Sequence, residues 1–115
     1  MKGRPPPQFR ARLTFTFREH GPDRRRYFVF GEDGHRRVPL QMAGDSDLHT
    51  VGLWQSGEAV YREGEQVEVD CVLLQPRVLQ DRVQVGTTFE LWDGGFFAAG
   101  IVLECFTSGW PDPSE

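Results

Sequence analysis

The sequence predicts an all-β domain, a small antiparallel barrel or sandwich. Apolar and polar side chains alternate with a period of two in several short segments, as they do in half-buried strands. Glycine, proline and aspartate cluster between these segments, as is typical of turns. No window of eleven or more residues shows the period of a helix. The length of 115 residues suits one domain around a single core.

The first half of the chain begins with its clearest strand. Between residues 9 and 17, apolar residues alternate with arginine and threonine, so one face of this strand is predicted to be buried and the other cationic. Shorter strands are predicted over residues 27–30, 38–42, 48–55 and 58–62. Pro39 weakens the second of these or places it at an edge, because proline cannot donate to a sheet ladder.

The second half alternates more regularly. A strand is predicted over residues 67–73, and residues 77–86 form a connecting segment. Residues 88–93 alternate again and lead into Asp93-Gly94-Gly95, a strong signal for a tight hairpin turn. The return strand is predicted over residues 97–105, so the last two strands should pair antiparallel.

The barrel domain is predicted to occupy residues 9–106. Residues 1–8 carry three consecutive prolines, which favour a flexible, extended arm. Residues 107–115 hold two prolines and are predicted to be a loose tail. No apolar run approaches 18 residues and none follows the charged start, so we expect neither a membrane-spanning helix nor a signal peptide. The expected location is the cytoplasm.

Charge is unevenly distributed along the chain. Residues 1–37 carry ten Lys/Arg and four Asp/Glu, a balance of +6, and residues 38–115 carry three and thirteen, a balance of −10. The total of −4 excludes a uniformly basic nucleic-acid binder. Two interpretations of the N-terminal arginines remain open. Either they contact phosphates of a nucleic acid, or they pair with the acidic remainder of the chain.

No group of residues indicates catalytic chemistry. The three histidines do not have the spacing of metal ligands, and no phosphate-binding Gly-Lys-Ser/Thr motif occurs. We therefore expect no enzymatic activity, no cofactor, no metal site and no nucleotide ligand. Cys71 and Cys105 lie in apolar runs and are predicted to be buried thiols. A disulfide between them is left open.

Residues 64–104 carry an ordered series of turn and strand motifs. The series reads Gly64-Glu65-Gln66-Val67, Gln75-Pro76, Phe89-Glu90-Leu91-Trp92-Asp93-Gly94-Gly95 and Ala99-Gly100-Ile101-Val102. In this order the motifs resemble the C-terminal β-barrel domain of elongation factor Tu. The resemblance implies a stand-alone, six-stranded antiparallel Greek-key barrel without the GTPase domain of that family. It also implies a domain that is not catalytic and that docks neighbouring domains, the T-stem of aminoacyl-tRNA and the exchange factor.

The hairpin departs from the pattern of that family. Trp92 and Phe96 replace arginines before and after the turn, and we expect both rings to be exposed while Phe97 is core. Such a cluster suits an apolar partner surface or base stacking. The main hypothesis is a non-catalytic module that binds a protein partner through this hairpin or the arginine-rich edge. The alternative is binding of structured, tRNA-like RNA through the arginine-rich N-terminal strands and the hairpin turn. The candidate binding residues are Arg24, Arg25, Arg26, Arg36, Arg37, Trp92, Asp93, Gly94 and Phe96.

Overall fold

The computed structural model describes residues 5–21 and 26–111. Its elements are β1 (Phe9–Phe15), β2 (Tyr27–Val29), β3 (His35–Met42), β4 (His49–Trp54), β5 (Val60–Arg62), β6 (Gln66–Leu73), α1 (Pro76–Leu79), β7 (Thr88–Trp92) and β8 (Phe96–Cys105). Six strands close into an antiparallel barrel, and β2 and β5 form a separate two-stranded ribbon. The predicted all-β barrel is therefore confirmed.

The six barrel strands follow a Greek-key order. Around the barrel they run β1, β6, β4, β3, β7 and β8, and β8 closes on β1. The strands β3, β4 and β6 follow one another in the barrel, and β1 lies beside β6, which is the arrangement of a Greek key. Pro39 pairs with β4 alone, because the pairing of β3 with β7 begins only at Leu40.

The β7–β8 hairpin forms at the turn that the sequence predicts. Trp92 pairs with Phe96 across it, and the Asp93 N–H donates to the Gly95 carbonyl at 2.9 Å. Gly94 has a φ of 71°, a left-handed conformation that glycine adopts without a steric penalty. The glycine is thus required by the backbone geometry of the turn.

The core lies inside the barrel, where the strand alternation places it. Along β1, residues Phe9, Ala11, Leu13 and Phe15 are buried, whereas the alternate side chains reach the outer surface. The other strands contribute Val38, Leu40, Met42, Val51, Leu53, Val69, Cys71, Leu73, Phe89, Leu91 and Val102. Burying one such aliphatic or aromatic side chain contributes about 1.5–3 kcal/mol, so this core dominates the stability of the barrel.

Aromatic rings close one end of the barrel. The ribbon of β2 and β5, called the lid below, packs where β1 ends and β8 begins. Phe28 of the lid stacks on Phe97 with ring centres 4.7 Å apart, and Tyr61 stacks on Phe15 at 5.3 Å. Phe97 is therefore part of the core, as the sequence predicts.

The segments that flank the domain close the other end. Gln8 is 3% exposed, and its side-chain oxygen accepts a hydrogen bond from the Leu73 N–H at 2.7 Å. The indole nitrogen of Trp110 donates to the Gln8 carbonyl at 3.0 Å. Residues 107–111, expected to be loose, are therefore held against the barrel, because Trp110 supplies both apolar surface and a donor. Of the predicted arm and tail, residues 1–4 and 112–115 lie outside the described part of the chain.

The two cysteines are free thiols in different surroundings. Cys71 is buried in the core, and this burial raises the pKa of its thiol well above the usual value. The predicted burial of Cys105 is wrong, because it is the last residue of β8, past the buried positions of that strand. Both cysteines pair with Phe9 from opposite sides of β1. Two strand spacings, about 10 Å, exceed the reach of a disulfide.

Candidate functional site

The predicted binding arginines that the structure describes, Arg26, Arg36 and Arg37, do not form one exposed basic surface. Arg24 and Arg25 lie outside the described residues. Arg26 and Arg36 are engaged by carbonyls and carboxylates at the lid. Arg37 is exposed and makes no ion pair within the described part of the chain. These arginines therefore have different roles: Arg26 and Arg36 stabilise the fold, whereas Arg37 is exposed.

Arg26 fastens the segment that leads into the lid. Its guanidinium donates to the carbonyls of His20 and Phe17, the latter at 3.4 Å. It also forms an ion pair with Glu63, which follows β5. The side chain thus connects the segment that contains Phe17 and His20 to the residue that follows β5. These contacts stabilise the fold and occupy the hydrogen-bond donors of Arg26.

Arg36 connects the lid to the hairpin turn. Its Nη1 donates to the Val29 carbonyl at 2.8 Å, and its Nη2 lies 3.6 Å from the Asp93 carboxylate. The guanidinium carbon lies 5.0 Å from the centre of the Phe28 ring, within the range of a cation–π contact. Asp93, a predicted binding residue, is therefore part of the attachment of the lid, as Gly94 is part of the turn itself.

Trp92, Phe96 and Arg18 lie on the outer face of the hairpin and are called the hairpin patch below. Trp92 is 37% exposed, and its strand partner Phe96 is half-buried. The Arg18 guanidinium carbon lies 5.0 Å from the Phe96 ring centre. Arg18 also donates two hydrogen bonds to the Glu90 carboxylate, at 2.6 and 2.8 Å. The structure thus places Trp92 and Phe96, the two predicted aromatic residues, opposite each other on the paired strands β7 and β8.

Ion pairs join the basic and acidic parts of the chain. Each links an arginine from residues 1–37 to a carboxylate from residues 38–115. The pairs are Arg10–Asp70, Arg18–Glu90, Arg26–Glu63 and Arg36–Asp93. Charges of both signs are therefore interleaved over the described surface, which favours pairing within the chain as the role of these arginines.

A groove on the outer wall of the barrel, called the wall groove below, adjoins the hairpin patch. It has a volume of about 510 Å³ and crosses β1, β8, β7 and β3. Glu90 lines it and lies two residues before Trp92 on the same face of β7. Ala99 lies between Glu90 and Thr14 in the strand register, so a small side chain leaves room between longer ones. The loop over residues 43–45 borders the groove.

Three polar side chains that line the wall groove have no partner among residues 5–21 and 26–111. Arg12 is exposed and makes neither an ion pair nor a hydrogen bond there. The side chains of Gln41 and Thr88 likewise make no hydrogen bond. The groove therefore presents a guanidinium, an amide and a hydroxyl that are available to a ligand.

The carboxylates that line the wall groove are both neutralised. Arg18 pairs with Glu90, and Arg82 pairs with Asp45 at 2.8 Å. The hydrogen bond from Arg82, together with those from two backbone N–H groups, lowers the pKa of Asp45 to about 2. With these two pairs cancelled, Arg12 gives the groove a positive balance.

Sequence reasoning misses the wall groove, because its residues meet only through strand pairing. Alternation does indicate that Arg12 faces outward from β1. Its position beside Ile101, however, follows from the register of β1 with β8. No local motif in either strand specifies that register.

Within the described residues, no His, Cys, Asp and Glu side chains are grouped so that they could hold a metal ion. No helix in that part of the chain is long and apolar enough to cross a bilayer. The chain matches no family model and no curated protein. A functional proposal must therefore come from the residues of the chain itself.

Proposed function

We propose that this chain is a non-catalytic interaction module that docks a protein partner on the hairpin patch. The observation that carries the proposal is the exposure of Trp92, which has 37% of its surface accessible to solvent. The pairing of β7 with β8 fixes the position of its backbone. Tryptophan and arginine are enriched among the interface residues that contribute most to affinity.

The hairpin patch is ordered before a partner arrives. Arg18 lies over the Phe96 ring and is itself fixed by Glu90. Side chains that are already ordered lose less conformational entropy on binding. Covering the open part of the Trp92 ring then contributes hydrophobic free energy to the complex.

The charge arrangement supports a protein partner more than RNA. RNA binding depends on arginines and lysines that are free to neutralise phosphates. Four arginines from residues 1–37 are instead engaged with carboxylates of this chain. An aromatic and arginine patch among interleaved charges has the composition of a protein interface. The free thiols of Cys71 and Cys105 suit a reducing compartment, and we place this interaction in the cytoplasm.

The test compares the proteins that the chain and two variants retain from an extract of the source organism. Trp92→Ser removes the ring from the hairpin patch. Val85→Ser is the matched control, because Val85 is 68% exposed in the loop before β7, at the other end of the barrel. We expect the natural chain and Val85→Ser to retain the same partner, and Trp92→Ser to lose it by more than about tenfold. Identical sets of proteins on all three chains would overturn the proposal.

A titration with bulk tRNA at low salt tests the RNA alternative. The proposal expects no saturable binding. Saturable binding that weakens with added salt, and that survives Trp92→Ser, would replace the protein partner with RNA as the main ligand.

A further inference from the structure

We propose that the wall groove receives an acidic side chain from an extended segment of the protein partner, and that Arg12 pairs with its carboxylate. The inference rests on the proposed function, because the groove adjoins the hairpin patch at Glu90. It adds a chemical requirement: the partner carries an aspartate or glutamate close to the residues that cover Trp92.

Arg12 differs from its neighbour on the same outer wall. Arg10 pairs with Asp70 at 3.2 Å. Arg12 is exposed, and in the described part of the chain it has no ion pair. Even Glu68, its exposed register partner on β6, does not pair with it. The guanidinium therefore keeps all its donors for a carboxylate, which it can bind through two parallel hydrogen bonds.

The charge of the wall groove favours an anion. Its two carboxylates, Glu90 and Asp45, each have an arginine partner, so Arg12 is the lining charge that has no ion pair among the described residues. The carboxylate of Glu68, opposite Arg12 on β6, lies outside the groove and forms no ion pair with it. This local balance is opposite in sign to the net charge of −4 on the whole chain. A carboxylate is drawn to such a site, whereas a second guanidinium or ammonium is repelled.

The free polar groups are spread across the groove. Arg12 and Thr88 flank Ile101 in one row of the register, and Gln41 lies on β3 in the next outward-facing row, opposite Glu90. At about 4.8 Å between strands, the distance across the strands from β1 to β3 is about 14 Å. One carboxylate meets only one of these groups, whereas about four residues of extended chain cover the whole span. An extended segment can therefore reach the amide and the hydroxyl through its peptide groups while its acidic side chain meets Arg12.

Ile101 gives the segment an apolar contact beside the charge. Its side chain is 36% exposed and lies next to Arg12 in the pairing of β1 with β8. In an extended segment, side chains two residues apart point to the same side, so an aliphatic residue two positions after the acidic one can cover this surface. The recognition chemistry is thus an acidic residue followed, two positions later, by an apolar one.

Peptide titrations followed by amide NMR shifts test the site. The acidic probe is acetyl-Glu-Ala-Leu-Ala-amide, and the matched neutral probe is acetyl-Gln-Ala-Leu-Ala-amide. At low ionic strength we expect the acidic probe to shift the amides of Thr88, Ala99 and Ile101. The neutral probe should bind at least about fivefold more weakly, and salt should remove the difference.

Two arginine variants assign the effect. Arg12→Gln should weaken binding of the acidic probe at least about fivefold and abolish the preference over the neutral probe. Arg62→Gln is the matched control, since Arg62 on β5 is also exposed and its guanidinium has no ion pair in the described part of the chain. It should leave both affinities unchanged. Equal melting temperatures of the three chains establish that the fold is intact.

Several results would overturn the inference. These are equal affinity for the two probes, unchanged binding by Arg12→Gln, or no amide shifts up to about 10 mM probe. A third probe, acetyl-Gln-Ala-Leu-Ala with a free C-terminus, tests another source of the same carboxylate. Tighter binding of this probe than of the acidic one would assign the groove to a chain terminus and refute the acidic side chain.

Capture of the partner separates this inference from the proposed function. We expect both Trp92→Ser and Arg12→Gln to weaken retention of the partner. If Trp92→Ser loses the partner and Arg12→Gln keeps it, the inference about the wall groove fails and the proposed function stands. If both variants keep the partner, the proposed function fails as well.

Discussion

The lid end and the outer wall use the same residue types for different purposes. At the lid, Arg26 and Arg36 donate to backbone carbonyls and pair with carboxylates, so their charges are part of the fold. On the outer wall, Arg12 has no such partner among the described residues. A count of arginines therefore does not locate a binding surface. The partners of each guanidinium decide whether it stabilises the chain or is available to a ligand.

Aromatic residues divide in the same way. Phe28 and Phe97 stack inside the lid end, where water is excluded. Trp92 faces outward on the neighbouring hairpin, although it lies only five residues before Phe97 in the sequence. We expect variants at the lid to change stability, and variants on the outer wall to change binding.

The largest expected effect is on stability at the lid. Phe28→Ala removes a ring that stacks on Phe97 and lies beneath Arg36, and should lower the free energy of unfolding by about 3–5 kcal/mol. Trp92→Ala should lower it by a smaller amount, about 1–2 kcal/mol, because 37% of that residue is exposed. Chemical denaturation of the two variants measures both values. Equal losses would show that lid and hairpin patch are not distinct in role.

A second variant examines the packing beneath the wall groove. A β-carbon at Gly100 would lie 2.2 Å from the Phe89 ring, so Gly100→Ala should lower the free energy of unfolding by about 1–3 kcal/mol through overpacking. Gly21→Ala is the control, since no atom of the described residues lies within 4 Å of its added carbon. Thermal unfolding compares the two. A neutral Gly100→Ala would mean that the strands under the groove shift easily.

The adjacent arginines on β3 give a matched comparison within one strand. Arg36→Gln removes a charged hydrogen bond to Val29 and the contact with Phe28, and should lower the free energy of unfolding by about 1–2 kcal/mol. Arg37→Gln should change it by less than about 0.5 kcal/mol. Denaturant midpoints provide the measurement. Similar values for both would contradict the structural role of Arg36.

The sequence predicts those features of the fold that depend on neighbouring residues. The alternation of β1 identifies its buried face, since side chains on a strand point to opposite sides in turn. The hairpin follows from Asp93-Gly94-Gly95, because Gly94 takes the left-handed conformation that the turn needs. The number of strands in the sheet and its closure depend on the whole chain. Alternation alone is therefore consistent with both a barrel and a sandwich.

The features that sequence reasoning misses depend on distant contacts. Trp110 donates a hydrogen bond to Gln8, which lies more than a hundred residues earlier in the sequence. The two prolines of residues 107–115 predict a loose tail, because they carry no information about this distant contact. Arg12 and Ile101 meet only through the β1–β8 register. The same distance hides the carboxylate partners of Arg26 and Arg36, which lie beyond residue 60. Residue type indicated their charge, whereas tertiary pairing determined their role.

The smallest expected effect is a pH dependence at the border of the wall groove. The pKa of Asp45 is lowered to about 2, chiefly by the hydrogen bond from Arg82. A carboxyl whose pKa is lower folded than unfolded stabilises the fold above its unfolded pKa of about 3.9, and this contribution disappears as pH falls through the folded value. The advantage of the natural chain over Asp45→Asn should therefore shrink as pH falls from about 4 to about 2. Denaturant midpoints across that range measure it, and Arg82→Gln should reduce the dependence, with the backbone hydrogen bonds from Ser46 and Asp47 retaining the remainder. Parallel curves for the natural chain and Asp45→Asn would show that the Arg82 pair does not hold the loop, and that the groove border is fixed by its backbone alone.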